Sequence, residues 1–86
     1  MTSFSYTLKD PAGIHARPAT QMIQQCAGYK DIDIQILCNG KTADAKRIFR
    51  VMSLGAKQGD EVTFTFSGPG EEEAMTSIKA FVEENF

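Results

Sequence analysis

Apolar residues in this chain change their spacing from every second residue to every third or fourth and back again. A glycine, a proline or an Asn-Gly pair stands at most of the changes. Ser3 to Lys9 alternates, with Phe4, Tyr6 and Leu8 on one face, which predicts a strand ended by Asp10-Pro11-Ala12-Gly13. From Ala16 the spacing becomes helical, through Ala19, Met22, Ile23 and either Cys26 or Ala27, and Gly28 closes the segment. Asp31 to Leu37 alternates again through Ile32, Ile34 and Ile36. Asn39-Gly40, two residues that tolerate positive φ, predicts a hairpin into a short strand over Lys41 to Ala43. Lys46 to Leu54 carries Ile48, Val51 and Met52 at helical spacing, a helix of about two turns. Glu61 to Ser67 is a last strand, with Val62, Phe64 and Phe66 on one face. After Gly68-Pro69-Gly70 a helix runs from Glu71 to Phe86, with its stripe on Ala74, Met75, Ile78, Phe81 and Val82.

The order βαββαβα in 86 residues leaves room for one core, so the chain reads as one α+β domain over residues 1–86. Each strand alternates, as a half-buried sheet requires. The four strands therefore form one sheet, with three helices over one face and water on the other. A ferredoxin-like arrangement shares the first six elements, and periodicity alone does not separate the two topologies.

A formal net charge of −2 excludes a strongly basic nucleic-acid binder. Arg17, Lys46, Arg47, Arg50 and Lys57 are five of the nine basic residues, whereas Glu71, Glu72, Glu73, Glu83 and Glu84 crowd the last helix. That asymmetry points to one basic face and an acidic protein partner. Cys26 and Cys38 are too far apart for a CxxC site, and with a single histidine they make no Cys/His zinc cluster. They read as reduced, buried thiols, although one bridge between them remains open at this point. No apolar run reaches membrane-spanning length and the first ten residues lack a signal-peptide pattern, so a cytoplasmic protein without direct membrane contact is expected.

His15 is the only histidine, and a lone histidine is usually structural. Its setting in Gly13-Ile14-His15-Ala16-Arg17-Pro18-Ala19 argues otherwise. It stands just before a helix whose first N–H groups, at Ala16 and Arg17, have no internal acceptor and favour an anion. Arg17 adds a fork of donors matched to phosphate oxygens, and Pro18 suits a first turn, where no amide is needed. Imidazole is nucleophilic near neutral pH and forms a labile phosphoramidate. The helix field would keep the ring neutral. Hydrolysis would need a second acid or base, or a metal; no second histidine or flanking carboxylate pair is there. The pattern suits a carrier, without cofactor or metal, better than a self-contained enzyme.

Lys46-Arg47-Ile48-Phe49-Arg50-Val51-Met52 forms the second cluster. It is either an ordinary amphipathic helix or an apolar patch rimmed by basic residues that docks a partner. Ile48, Val51 and Met52 already supply a core stripe, so an exposed Phe49 would be a docking residue. Gly55 to Gly59 lacks the spacing of a P-loop, Phe64 and Phe66 read as core rather than a base-stacking platform, and Glu71 to Glu73 reads as a solvated first helical turn.

Gly13-Ile14-His15-Ala16-Arg17-Pro18-Ala19, then Lys46, Val51-Met52-Ser53-Leu54-Gly55 and Gln58-Gly59, closely resemble the HPr family of histidine-containing phosphocarriers. That family serves the bacterial phosphoenolpyruvate-dependent sugar phosphotransferase system, and the likeness runs over essentially the whole chain. The resemblance implies an open-faced β-sandwich of four antiparallel strands and three helices. It implies that enzyme I phosphorylates His15 on Nδ1, and that the group passes to EIIA domains of sugar permeases. Arg17 matches the phosphate-stabilising arginine. Thr20, Arg47, Ile48, Phe49 and Met52 match docking positions shared by donor and acceptor, which bind in turn to a monomer. One position departs from the pattern. Many members carry a regulatory serine after the lysine equivalent to Lys46, whereas here Arg47 occupies it, which removes the acceptor for a serine kinase. It also sets a positive charge at a helix start, for which an acidic partner surface would compensate. Two other readings stand beside sugar uptake: the same chemistry in a nitrogen-related or other regulatory branch, and a non-catalytic protein-binding module.

Overall fold

The computed structural model describes residues 1–86, with every side chain except that of Ala16. Its elements are β1 (Thr2–Thr7), α1 (Ala16–Ala27), β2 (Asp33–Cys38), β3 (Lys41–Asp44), α2 (Ile48–Met52), β4 (Glu61–Ser67) and α3 (Glu71–Asn85). The βαββαβα order holds. All pairings are antiparallel and the strand order is β1-β4-β2-β3, with the three helices on one face. This settles the topology that periodicity left open. A ferredoxin-like sheet would place β1 and β3 in the middle, whereas here β4 and β2 are central. The assignment follows the side chains. β4 alternates Val62, Phe64 and Phe66, all fully buried, and takes the centre. β3 is four residues long with Lys41 and Thr42 exposed, and such short, charged strands suit a sheet edge.

Register places like with like. Phe4 lies opposite Phe64, and their rings stack with centroids 4.9 Å apart. Ile36 faces Phe64 from the other side. Phe64 and Phe66 are therefore core, and truncating Phe64 would cost about 3–5 kcal/mol. Over this face lie Ala19, Met22, Ile23 and Cys26 of α1 and Ala74, Ile78 and Val82 of α3. Cys26 rather than Ala27 completes the α1 stripe. Met75 and Phe81 are half-buried at the margin of the α3 stripe. The other face of the sheet carries Ser5, Thr63, Thr65 and Gln35, with Ser5 and Thr63 hydrogen-bonded across strands at 2.9 Å.

Both cysteines are buried free thiols, so no bridge joins them. Burial pushes the Cys26 thiol up to about 12, although Lys46 works the other way, and Cys38 is also raised, chiefly by burial.

Several boundaries shift. β1 ends at Thr7, but Leu8 stays buried because its N–H reaches the Asp60 carbonyl and its carbonyl receives the Gly59 N–H. Ile32 precedes β2 yet is buried. Asn39 and Gly40, with φ of 53° and 76°, make the expected hairpin turn. Gly28 closes α1 without a left-handed twist; its N–H bonds the Gln24 and Gln25 carbonyls. Helix α2 is shorter than expected. Arg47 is its extended N-cap, and beyond Met52 the chain tightens through Leu54 N–H to Val51 and Gly55 N–H to Met52. Among the described residues, no helix is long and apolar enough to cross a membrane.

Candidate functional site

The loop from Leu8 to His15 is built as a sequence of clamps. Asp10 bends the chain: its Oδ1 accepts the Ala12 N–H at 2.8 Å and its carbonyl accepts the Gly13 N–H at 2.8 Å. Gly13 has φ of 64° and packs against the backbone of Ala56 and Lys57, so that a side chain there would strike the Ala56 carbonyl. Ile14 is buried and donates its N–H to the same carbonyl at 3.4 Å. The segment after α2 thus braces the approach to His15.

His15 is the N-cap of α1, extended at φ −118° and ψ 167°, with its carbonyl taking the first helical bond from Ala19 N–H at 2.9 Å. The Arg17 amide therefore precedes the helical ladder, where an anion is favoured, and Pro18 has no amide to satisfy. The Ala16 amide, expected to take part with it, belongs to the same first turn, and the Ala16 side chain lies outside the described residues. His15 makes no side-chain capping bond, unlike the usual Ser, Thr or Asp at such a position. Its ring is turned aside. Nε2 lies 3.2 Å from Asp10 Oδ2, and the ring meets Phe86 edge-on, with centroids 6.1 Å apart. The side chain remains 37% exposed.

Asp10 is held below the ordinary carboxylate range, chiefly by the Ala12 amide; burial opposes this, and the His15 hydrogen bond and charge add smaller contributions in the lowering direction. Phe86 is buried, and its carbonyl accepts the Lys9 and Asp10 N–H groups at 2.6 and 2.8 Å. The end of α3 is thereby tied to the loop that carries His15. Arg17 is exposed and has no ion pair among the described residues; Thr20 is exposed farther along α1.

In the second cluster the face assignment needs correction. Val51 is buried and Ile48 half-buried, but Met52, expected in the core stripe, is 40% exposed. Phe49 is 87% exposed. The five-residue helix has one inward position, and Leu54 beyond it supplies the second buried side chain. Arg47 pairs with Asp44 within its own chain, Nε to Oδ2 at 3.7 Å, so an acidic neighbour is present without any partner. Both groups are substantially exposed and the pair is weak. Lys46 turns inward, its Nζ donating to the Tyr29 and Ile32 carbonyls at 2.7 and 2.6 Å, which ties the α1–β2 turn to the start of α2.

Asp10, Ala56 and Phe86 are the site residues that sequence reasoning missed. Asp10 had a signal, since an aspartate two residues before a turn amide forms an Asx-turn and keeps one oxygen spare. Phe86 had none, standing past the last residue of the predicted apolar stripe. The described residues contain no pocket and no group of three candidate metal ligands. The arrangement is a surface: a half-exposed imidazole at a helix start, an unpaired guanidinium two residues on, and an exposed Phe49–Met52 pair on α2.

Residues 2–84 match the family model described as the PTS HPr component phosphorylation site. The chain is 38% identical over 85 residues to the phosphocarrier protein HPr of Mycoplasma genitalium, covering 99% of this chain and 97% of the relative; the protein of the same name from Mycoplasma pneumoniae gives the same figures. Among solved structures, HPr-C-His from Thermoanaerobacter tengcongensis superposes with a TM-score of 0.90 at 32% identity, over 98% of this chain and 93% of that one. The phosphocarrier protein HPr from Bacillus anthracis does so with a TM-score of 0.85 at 33% identity, over 94% and 95%.

Proposed function

The chain belongs to the HPr family, phosphocarriers of the bacterial phosphotransferase system, and we propose that His15 is the residue that carries its phosphoryl group. The observation that carries this reading is the placement of His15, the one histidine, half-exposed at the N-cap of α1 with no capping bond. The family is one of carriers rather than self-contained enzymes, so donor and acceptor are other proteins of the system.

Enzyme I, charged by phosphoenolpyruvate, supplies the group to Nδ1, and an EIIA domain of a sugar permease removes it. Both reactions occur in the cytoplasm on a monomer. The phosphoryl oxygens lie near the first amides of α1, where the helix dipole favours negative charge, and Arg17 closes on them. Phe49, Met52 and the exposed edge of Ile48 form the apolar centre of the docking face, with Thr20 and Arg47 at its rim. One face serves both partners, so they bind in turn. Arg47 offers no hydroxyl, and the serine-kinase control of many relatives has no acceptor at this position.

The test is phosphorylation by enzyme I with phosphoenolpyruvate and magnesium, read by intact mass. One acid-labile phosphoryl group on the wild type and none on His15→Ala is the expected result. A gain on folded His15→Ala, or none on the wild type beside an active control carrier, would reject the reading. Arg17→Ala should take up the group more slowly with unchanged thermal stability, since its side chain is exposed.

A further inference from the structure

The two oxygens of Asp10 have different duties. Oδ1 is committed to the Ala12 N–H at 2.8 Å, a bond that forms the turn. Oδ2 is left to face Nε2 of His15 at 3.2 Å. An ionised carboxylate only accepts hydrogen bonds, so the ring nitrogen it meets must carry the proton. Asp10 is kept ionised at neutral pH, chiefly by the Ala12 amide. With the proton on Nε2, a neutral ring has its lone pair on Nδ1. Phe86 stands edge-on beside the ring, with centroids 6.1 Å apart. The two neighbours of the ring are themselves joined: Asp10 donates its own N–H to the Phe86 carbonyl at 2.8 Å.

We propose that Asp10 is a positioning residue for phosphoryl transfer, fixing the His15 tautomer so that Nδ1 is the nucleophile and holding the proton on Nε2 throughout the cycle. The inference rests on the reading of His15 as the carrier residue. In the charging step the Nδ1 lone pair forms the bond to phosphorus, and the bond from phosphorus to the donor breaks with its electron pair returning to the donor. The imidazole ring gains positive charge while Nε2 keeps its proton, and Oδ2 lies where that charge is shared. In the second step the nitrogen–phosphorus bond breaks, its electrons return to Nδ1 and the acceptor takes the phosphoryl group. No proton has to enter or leave the ring in either direction, so the site is ready for the next donor as soon as the acceptor departs.

Asp10→Asn is the test. Its single oxygen can hold the Ala12 amide or face Nε2, but not both; in the first arrangement its NH2 group faces Nε2 and favours the opposite tautomer. Asp10→Ser is the second variant, because its short hydroxyl can still accept the Ala12 N–H but does not reach His15. Ring nitrogen chemical shifts of 15N-labelled His15 report the tautomer, and enzyme I with phosphoenolpyruvate reports the uptake rate. The expected result is a mainly Nε2–H ring in the wild type, a shift toward Nδ1–H in the folded variants, and uptake slower by about tenfold or more. Unchanged nitrogen shifts in both variants, or changed shifts with wild-type uptake rates, would overturn the role of Asp10. A wild type that takes no phosphoryl group would instead reject the carrier assignment of His15, and the nitrogen shifts would still decide whether Asp10 sets the tautomer.

Discussion

Phe86 presents its ring edge-on to the imidazole of His15, with planes at 79° and centroids 6.1 Å apart. The two residues are joined only by the fold: β1 and its loop bring His15 there, and α3 delivers Phe86. The contact also has a backbone counterpart, since the Phe86 carbonyl accepts the amides of Lys9 and Asp10. Phe86→Ala should lower stability by about 3 kcal/mol, read by urea unfolding, because it empties a buried aromatic site. Phe86→Leu should retain most of that stability while shifting the His15 ring resonances.

Phe49 and Val51 lie two residues apart on one short helix, with Phe49 exposed and Val51 buried. Phe49→Ala should leave the unfolding free energy within about 0.5 kcal/mol of wild type while weakening binding to the phosphoryl donor. Val51→Ala should do the reverse, costing roughly 2 kcal/mol of stability. Calorimetric binding measured beside thermal unfolding separates the two effects. A large stability loss in Phe49→Ala would remove it from the docking face.

Gly13→Ala should be destabilising by about 2 kcal/mol, since it combines a left-handed φ with a clash against the Ala56 carbonyl. The neighbour is backbone and cannot swing away. Relief requires the loop to move, and that loop ends at His15, so phosphoryl uptake should fall along with the thermal midpoint. Gly40→Ala serves as a control. It shares the positive φ but meets nothing within 4 Å, so its smaller loss of stability should leave uptake intact.

Asp60 accepts the Lys57 N–H at 3.0 Å and the Asn39 amide at 3.2 Å, and its carboxyl is held below the usual range chiefly by that Lys57 amide, with Asn39 next. Asp10 and Glu71 are lowered as well, Glu71 by the N-terminal ammonium at 3.0 Å first and the Gly68 amide second. A carboxylate with a depressed folded-state pKa contributes stability above its unfolded value, near 4, and loses it as pH falls through the folded value. Urea midpoints should therefore hold from pH 7 to about pH 5 and fall below pH 4. Asp60→Asn should be less stable than wild type at pH 7, with the difference shrinking at pH 3.

Much of this protein was set locally. The alternation of Val62, Phe64 and Phe66 makes β4 a half-buried strand in any context, Asn39-Gly40 makes the hairpin turn, and the motif from Gly13 to Ala19 marks His15 as a residue at a helix start. These features depend on backbone sterics and on spacing within a few residues, which a sequence states directly. Strand order, the outward turn of Met52 and the surroundings of His15 were decided by the tertiary structure. β4 lies between β1 and β2 because it joins two strands distant in sequence, and a period of two says nothing about neighbours. Met52 faces water because the inward direction of α2 is centred on Val51, and the next residue along lies about 100° around the helix from it. Asp10 reaches the histidine across five residues of one loop, whereas Ala56 and Phe86 gather there only when the segment after α2 and the end of α3 have packed, for they are held by hydrogen bonds and a ring contact that span the chain.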